Sequence, residues 1–379
     1  MLTLGIETSC DDTAVAIIRG SREILSERVS SQIAEHQRFG GVVPEFAARM
    51  HQEAILPLIK IVMDEARAKM SESENIGLIA VTQGPGLMGS LMVGVLTARA
   101  LGQAWDVPVI GVNHIEGHMF ANYIADESLT PPFLCLVVSG GHTEIILASN
   151  WGDYIVLGST RDDAAGEAFD KAAKLLGLPY PGGAVIDKLS VKGNPKAYSF
   201  PIPLKNTDEV EFSFSGLKTA LLWKLKQLSL DVSSAVENNS FETDSKSTRD
   251  IHEGTLTSLR LSNEDSSLKC NWNINDICAS YQAAIVESLM VKLELAVRKT
   301  RVKKVAISGG VAANSALRAA IQSKKGKWDI FIPPIAHCTD NAAMIAAAGA
   351  NAWNRGVRME AIAPDPGLAM HNSQCKMHN

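Results

Sequence analysis

Two histidines, His114 and His118, stand four residues apart in VNHIEGHMFA, with Glu116 between them. On a helix, positions i and i+4 are neighbours, about 5–6 Å apart at Cβ. Two imidazoles so placed can converge on one cation, at roughly 2.0–2.1 Å per nitrogen. Zinc proteases use H-E-x-x-H, in which the glutamate activates metal-bound water. Here the order is H-I-E-G-H. With about 3.6 residues per turn, Glu116 projects about 200° round from His114 and away from a cation held by the pair. A protease of that kind is therefore disfavoured. Taken alone, the pair reads equally well as surface or capping histidines.

A third ligand must come from elsewhere, and the best candidate is Asp340, in PPIAHCTDNAAMIAAAG. It sits where a loop enters an Ala-rich helix. Its competing reading is an N-cap carboxylate, a common use of aspartate. His337 and Cys338 are close by in sequence. Two histidines and one carboxylate leave coordination positions open for water or a substrate oxygen.

Three glycine loops could receive an anion. VVSGGHT (137–143) turns tightly between strands, and glycine lets backbone N–H groups approach phosphate. SGGVAAN (308–314) precedes a helix, whose N-terminus favours negative charge. YPGGAVID (180–187) is the third. Each alone reads as an ordinary turn. No G-x-x-x-x-G-K-[ST] loop occurs, so a nucleotide would bind by a geometry other than that one. Asp170, in RDDAAGEAFDKAAKLLG, falls on an expected helix near these loops, where a carboxylate can accept from ribose hydroxyls. Its rival reading is a solvated charge on a surface helix.

These residues need a frame. LTLGIETSCDDTAVAII reads as strand, polar turn, strand. FLCLVVSGGHTEIILAS repeats that grammar about 130 residues later. IGLIAVTQGPGLMGSLMVGVLTARALG and VKKVAISGGVAANSALRAAI both read strand, glycine-rich turn, helix. Two units recur in the same order, which points to a duplicated mixed α/β fold with a ligand cleft between the halves. Glu45–Met70, interrupted by Pro57, and Ile274–Lys299 have helical apolar spacing. The expected division is an N-terminal lobe over 1–130 and a C-terminal lobe over 131–379, with helices from about 341 free to return to the first. The stretch from Leu230 to Asn273 is rich in Ser, Asn, Asp and Glu. It cannot bury enough apolar surface to offset its ordering entropy, so 230–273 is expected to be a flexible, exposed insertion.

The 379 residues are 46% hydrophobic and 20% charged, the balance of a globular protein too long for one ordinary core. No apolar run approaches the roughly 20 residues of a spanning helix, and MLTLGIETSC lacks the features of a signal peptide. Cys10, Cys135, Cys270, Cys278, Cys338 and Cys375 are scattered with no C-x-x-C pair, which argues against a disulfide framework and for a reducing cytoplasm. A net charge of −5 means that any nucleic acid must meet a local basic patch or a partner's positive surface.

GIETSCDDTAVAI, GGVVPE, NHIEGH, VSGGHT, AGEAFDKAAKLLGLPYPGG, FSFSGLKTA, SGGVAAN and CTDNAAMIA occur here in the order of one family. The chain closely resembles the bacterial tRNA threonylcarbamoyladenosine transferases, the TsaD proteins, once described as O-sialoglycoprotein endopeptidases. The resemblance runs from about Leu2 to Pro366, apart from the 230–273 segment. It implies an actin/Hsp70/sugar-kinase-like fold, and iron or zinc held by His114, His118 and Asp340. It implies a threonylcarbamoyl-AMP or adenine-nucleotide site at Val137, Val138, Ser139, Gly140, Gly141, Asp170, Gly183, Asp187 and Asn314. It also marks Asp11 and Asp12, at the first hairpin tip, as functional. The implied reaction is acyl transfer to the exocyclic amine of the adenine 3′ to the anticodon, in tRNAs that read codons beginning with A. Direct transfer is expected, because no covalent nucleophile stands out. The implied partners are tRNA, a TsaB-type paralogous subunit, a TsaE-type ATPase and a separate threonylcarbamoyl-AMP synthase, with no membrane. The rival readings are an ATPase or kinase of the same fold, the disfavoured metalloprotease, and a non-enzymatic scaffold.

Overall fold

LTLGIE is buried along its whole length and forms β1 (Leu2–Glu7), the centre of a five-stranded sheet. A computed structural model describes residues 1–237, 272–359 and 361–370. β1 pairs antiparallel with β2 (Asp12–Arg19), which pairs antiparallel with β3 (Glu23–Ser31). The short α1 (Ile33–Gln37) and the long α2 (Pro44–Arg67) follow. α2 runs through Pro57 without a break, so the expected interruption is not seen. Its inner face buries Ala47, His51, Ile55, Leu58, Ile59, Val62 and Ala66, and that packing outweighs the one hydrogen bond proline removes. β4 (Ile76–Gly84), α3 (Met88–Trp105) and β5 (Val109–Asn113) complete the sheet in the order β3-β2-β1-β4-β5, with β1, β4 and β5 parallel. α4 (His114–Ala125) leaves the end of β5 directly.

The second sheet repeats this plan. β6 (Phe133–Val138), β7 (Thr143–Asn150) and β8 (Asp153–Ser159) are consecutive antiparallel partners. α5 (Ala165–Leu175), α6 (Gly182–Ser190), α7 (Ser215–Glu237) and α8 (Ile274–Thr300) follow. β9 (Lys304–Ser308), α9 (Ser315–Gln322) and β10 (Asp329–Phe331) then add two parallel strands beside β6. The order β10-β9-β6-β7-β8 is that of the first sheet, strand for strand, so the duplication legible in the sequence is real. α8 coincides with the helix expected from Ile274. α7 continues to Glu237, so the start of the 230–273 span is helical; 238–271 lies outside the described residues.

The last helix, α10 (Ala342–Asn354), packs on β1, β2 and β4 of the first sheet. Small residues permit this. A Cβ on Gly5 would lie 2.2 Å from the Ala342 carbonyl oxygen, and one on Gly349 would lie 2.4 Å from Ala80 Cβ. Among the described residues no helix is long and apolar enough to cross a membrane, and Cys10, Cys135, Cys278 and Cys338 are free thiols.

Candidate metal centre and nucleotide cradle

The first turn of α4 and the loop entering α10 bring His114, His118 and Asp340 together. One ligand atom from each lies within 4.8 Å of the others. Neighbouring asparagines do the capping: Asn113 accepts from Ile115 N and Glu116 N, and Asn341 accepts from Met344 N. Both capping alternatives fail, which leaves His114 and Asp340 for other chemistry.

Asp340 Oδ1 lies 3.6 Å from His114 Nε2 and 3.3 Å from His118 Nε2. Donors bonded at about 2.0–2.1 Å to one tetrahedral cation stand about 3.3 Å apart, so the spacing fits. His118 is fully buried, and neither ring nitrogen has a hydrogen-bond partner; its approach to Asp340 lacks hydrogen-bond geometry. A buried imidazole without a partner is costly, and a cation would satisfy it. Two histidines and a carboxylate suit zinc or iron and suit magnesium poorly.

The charges are balanced locally. Burial opposes a charge on His114, but Glu7 and Asp340 outweigh it and push its pKa up to about 9. Burial likewise opposes ionisation of Asp340, and the charges of His114 and His118 hold it down to about 2. His142, on the 137–143 loop, is lowered to about 4, first by burial and then by the neighbouring His114 and His118 charges. Glu116 faces elsewhere: Tyr154 Oη donates to its Oε1 at 2.7 Å, and Arg355 lies 3.8 Å away. The protease arrangement is absent. Cys338 Sγ is turned toward the carbonyls of Pro333 and Pro334, away from the cluster.

The hairpin tip between β1 and β2 faces the same centre. Asp11 and Asp12 are each raised by burial, and Asp340 repels both; Asp12 reaches about 7. Asp12 Oδ1 is buried without a partner. His51 of α2 holds the tip: its Nδ1 lies 2.7 Å from Thr13 Oγ1, and its Nε2 lies 3.0 Å from the Cys10 carbonyl.

The glycine loops meet on the other side. Gly166 N donates to the Ser139 carbonyl at 3.2 Å, and Gly309, at φ +87°, lies so close to Val138 that a Cβ would be 2.4 Å from its carbonyl oxygen. Gly140 and Gly141 face open space. Asp170 accepts from Gly182 N at 2.7 Å and from the Gly183 backbone, which ties the 180–187 loop to α5. Burial raises the Asp170 pKa, and Asp11 is among the charges that repel it. Asp187 receives Ser315 N and Ser315 Oγ. Asn314 caps α9 through Leu317 N and donates to Gln282 Oε1. The side chains of Val137 and Val138 are enclosed in the core, so only their backbone can face a ligand.

Sequence reasoning passed over Glu7. It is fully buried at the end of β1, and its Oε2 lies 3.0 Å from His114 Nδ1. The available signal is that Glu7 is the one charged residue of β1, LTLGIE, directly before the hairpin tip.

The family model for tRNA N6-adenosine threonylcarbamoyltransferase matches residues 23–347. The tRNA N6-adenosine threonylcarbamoyltransferase of Anaeromyxobacter dehalogenans is 46% identical over 359 residues, covering 94% of this chain and 95% of the relative. That of Thermosipho africanus is 45% identical, covering 94% and 96%. HypF of T. kodakarensis shares the fold at TM-score 0.54 and 14% identity, over 94% of this chain and 48% of its own. The (R)-2-hydroxyglutaryl-CoA dehydratase component A of Acidaminococcus fermentans does so at TM-score 0.50 and 15% identity, over 94% and 98%.

Proposed function

Because the chain belongs to the tRNA N6-adenosine threonylcarbamoyltransferase family, we propose that the cleft between its two sheets carries that transfer. The donor in this reading is threonylcarbamoyl-AMP, and the acceptor is the N6 amine of the adenine 3′ to the anticodon. The observation that carries it is His118, buried with two unpartnered ring nitrogens beside His114 and Asp340. These three residues would hold one zinc or iron ion, which when bound supplies a Lewis acid for an oxygen of the acyl donor.

The chain's own groups do the rest. Backbone N–H groups of the loop at Gly140 and Gly141, where an added Cβ would meet nothing within 4 Å, receive the phosphate that leaves with AMP. Asp170 holds the 180–187 segment that lines the adenylate against α5, and Asp187 joins that segment to the start of α9. Asp11 and Asp12 share the hairpin tip, and burial raises both, Asp12 to about 7, so near neutral pH an ionised fraction of Asp12 is available to take the proton the incoming amine loses. An adenine amine is a weak nucleophile, so positioning is the main lever, and oriented reactions gain roughly 7–11 kcal/mol.

A chain of net charge −5 needs a local surface for tRNA, and one is gathered where β9 and β10 begin. Asp329 N donates to the Lys303 carbonyl, and Lys325 bridges Trp328, so the 301–304 and 324–327 segments are adjacent. Arg301, Lys303, Lys325 and Lys327 are exposed there, and among the described residues they form no ion pair. Lys299 and Lys324 are neutralised by Asp208 and Glu294. In this reading the free four meet the phosphates of the tRNA stem. Leu56 and Ile61 of α2, with Met88, Met92 and Leu96 of α3, form an exposed apolar set on two packed helices that suits the TsaB-type paralogue. A TsaE-type ATPase and a separate threonylcarbamoyl-AMP synthase complete the proposed system, in the cytoplasm.

The test is transfer of label from threonylcarbamoyl-AMP to unmodified tRNA in the presence of the partners. The wild type should label tRNA, and His114→Ala and Asp340→Ala, with fold intact, should lose that activity. No label under any partner combination would overturn the reading.

A further inference from the structure

We propose that Glu7 is a positioning residue that fixes His114 as an Nε2 ligand by accepting its Nδ1–H. The inference rests on the metal site proposed above. Glu7 closes β1 with its side chain wholly enclosed. Its Oε2 lies 3.0 Å from His114 Nδ1 and also accepts from Thr82 Oγ1. Its Oε1 accepts from the Ser9 backbone N–H. Ser9 Oγ stands 3.3 Å from the same His114 nitrogen. The other nitrogen, Nε2, points toward Asp340. An imidazole that gives its Nδ1 proton to a carboxylate presents a lone pair at Nε2, and that carboxylate fixes both tautomer and ring orientation.

The bland alternative is a buried ion pair that serves only the fold. Such pairs contribute little net stability, because desolvation offsets attraction. The surroundings are also specific: three donors, from Ser9, Thr82 and His114, converge on one carboxylate and leave no place for an N–H group. That makes Glu7→Gln a sharp probe. The glutamine offers one acceptor oxygen. The Ser9 N–H is backbone and cannot turn away, so the oxygen faces it and the NH2 group faces Thr82 and His114. Thr82 can rotate to accept. His114 can accept only by moving its proton to Nε2, the nitrogen the cation needs.

Two measurements on the full-length chain test this. Zinc affinity is measured by competition with a chromophoric chelator, for wild type and Glu7→Gln. Loss of such an outer partner typically lowers metal affinity about 10–100-fold, and that loss is expected here with circular dichroism unchanged. In zinc-loaded wild type labelled with 15N-histidine, a slowly exchanging proton should sit on His114 Nδ1. Affinity within threefold in folded Glu7→Gln overturns the inference but spares the metal site. So does a proton found on Nε2, and that spectrum decides the matter even where the variant fails to fold. Wild type that binds neither zinc nor iron overturns the site itself.

Discussion

Gly5→Ala should weaken metal binding although Gly5 touches no ligand. The added Cβ would lie 2.2 Å from the Ala342 carbonyl oxygen and 2.9 Å from Ala346 Cβ, on the face of β1 that receives α10. Ordinary contact begins near 3.4 Å, so the first turn of α10 must retreat by 3.4 − 2.2, or 1.2 Å. Ala342 is two residues beyond Asp340, and no flexible side chain lies between to absorb the shift. Metal bonds tolerate displacements of only about 0.2 Å, and a 1 Å misplacement in a catalytic constellation costs about 100-fold. Overpacking itself costs typically 1–3 kcal/mol. Gly5→Ala should therefore melt a few degrees lower, bind zinc at least about tenfold more weakly, and transfer label correspondingly slowly. Gly349→Ala is the matched comparison: its Cβ would meet Ala80 Cβ at 2.4 Å, far down α10 from Asp340. It should lose similar stability and much less metal affinity. Zinc titration by chelator competition, beside thermal melts, reads both. Equal metal affinity in folded Gly5→Ala and wild type would refute the claim that the packing of α10 on β1 places Asp340.

Other perturbations have equally definite outcomes. His118→Leu removes a buried imidazole without partners, which costs about 1–3 kcal/mol when unsatisfied. In chelator the variant should be at least as stable as wild type, and it should lose the melting-temperature rise that zinc gives wild type; a retained rise would exclude His118 as a ligand. Asp12 is raised from 3.8 to about 7 by burial, with Asp340 and Asp11 adding repulsion, so the folded state holds its proton more tightly than the unfolded. Its contribution is therefore intact below about pH 4 and lost as pH rises from 3.8 through 7, on the order of 4 kcal/mol at about 1.36 kcal/mol per tenfold. In metal-free chain Asp12→Asn should be more stable than wild type at pH 8 and converge on it toward pH 4; urea titrations at the two pH values check this. Removing Lys303 and Lys327 together should weaken tRNA binding and flatten the slope of log K against log salt by about 1 per residue. An unchanged slope would place the RNA elsewhere.

The sequence carried the architecture because both sheets begin with the same grammar, an apolar strand, a polar turn and a second strand, which periodicity reveals. It carried His114, His118 and Asp340 as ligand types, while the decision between ligand and cap depended on Asn113 and Asn341, whose capping bonds only coordinates display. Pro57 misled, because the reading weighed the missing N–H and could not see seven buried side chains on the inner face of α2. Asn314 enters the sequence reading only through the family resemblance; the structure adds that its oxygen caps α9 and its nitrogen donates to Gln282, pairings that local pattern does not report. Glu7 carries only a weak local signal, because two of its partners, Thr82 and His114, lie 75 and 107 residues away, and local pattern cannot report such pairs.

The same geometry decides between transferase and kinase. Both use a cleft between repeated sheets, with glycine loops at strand ends, and proteins as different as HypF and a dehydratase component share that frame. The frame therefore selects no particular reaction. Phosphoryl transfer relies on Mg²⁺, which demands oxygen ligands and retained waters. Here two imidazole nitrogens and one carboxylate converge, with Glu7 3.0 Å from one ring and the nitrogens of the other ring making no hydrogen bond. That donor set would hold a softer, stronger Lewis acid than Mg²⁺, able to polarise an oxygen of the acyl donor, and the glycine loops would offer backbone N–H groups to the departing phosphate. The family match gives acyl transfer, and the donor set of His114, His118 and Asp340 is compatible with it.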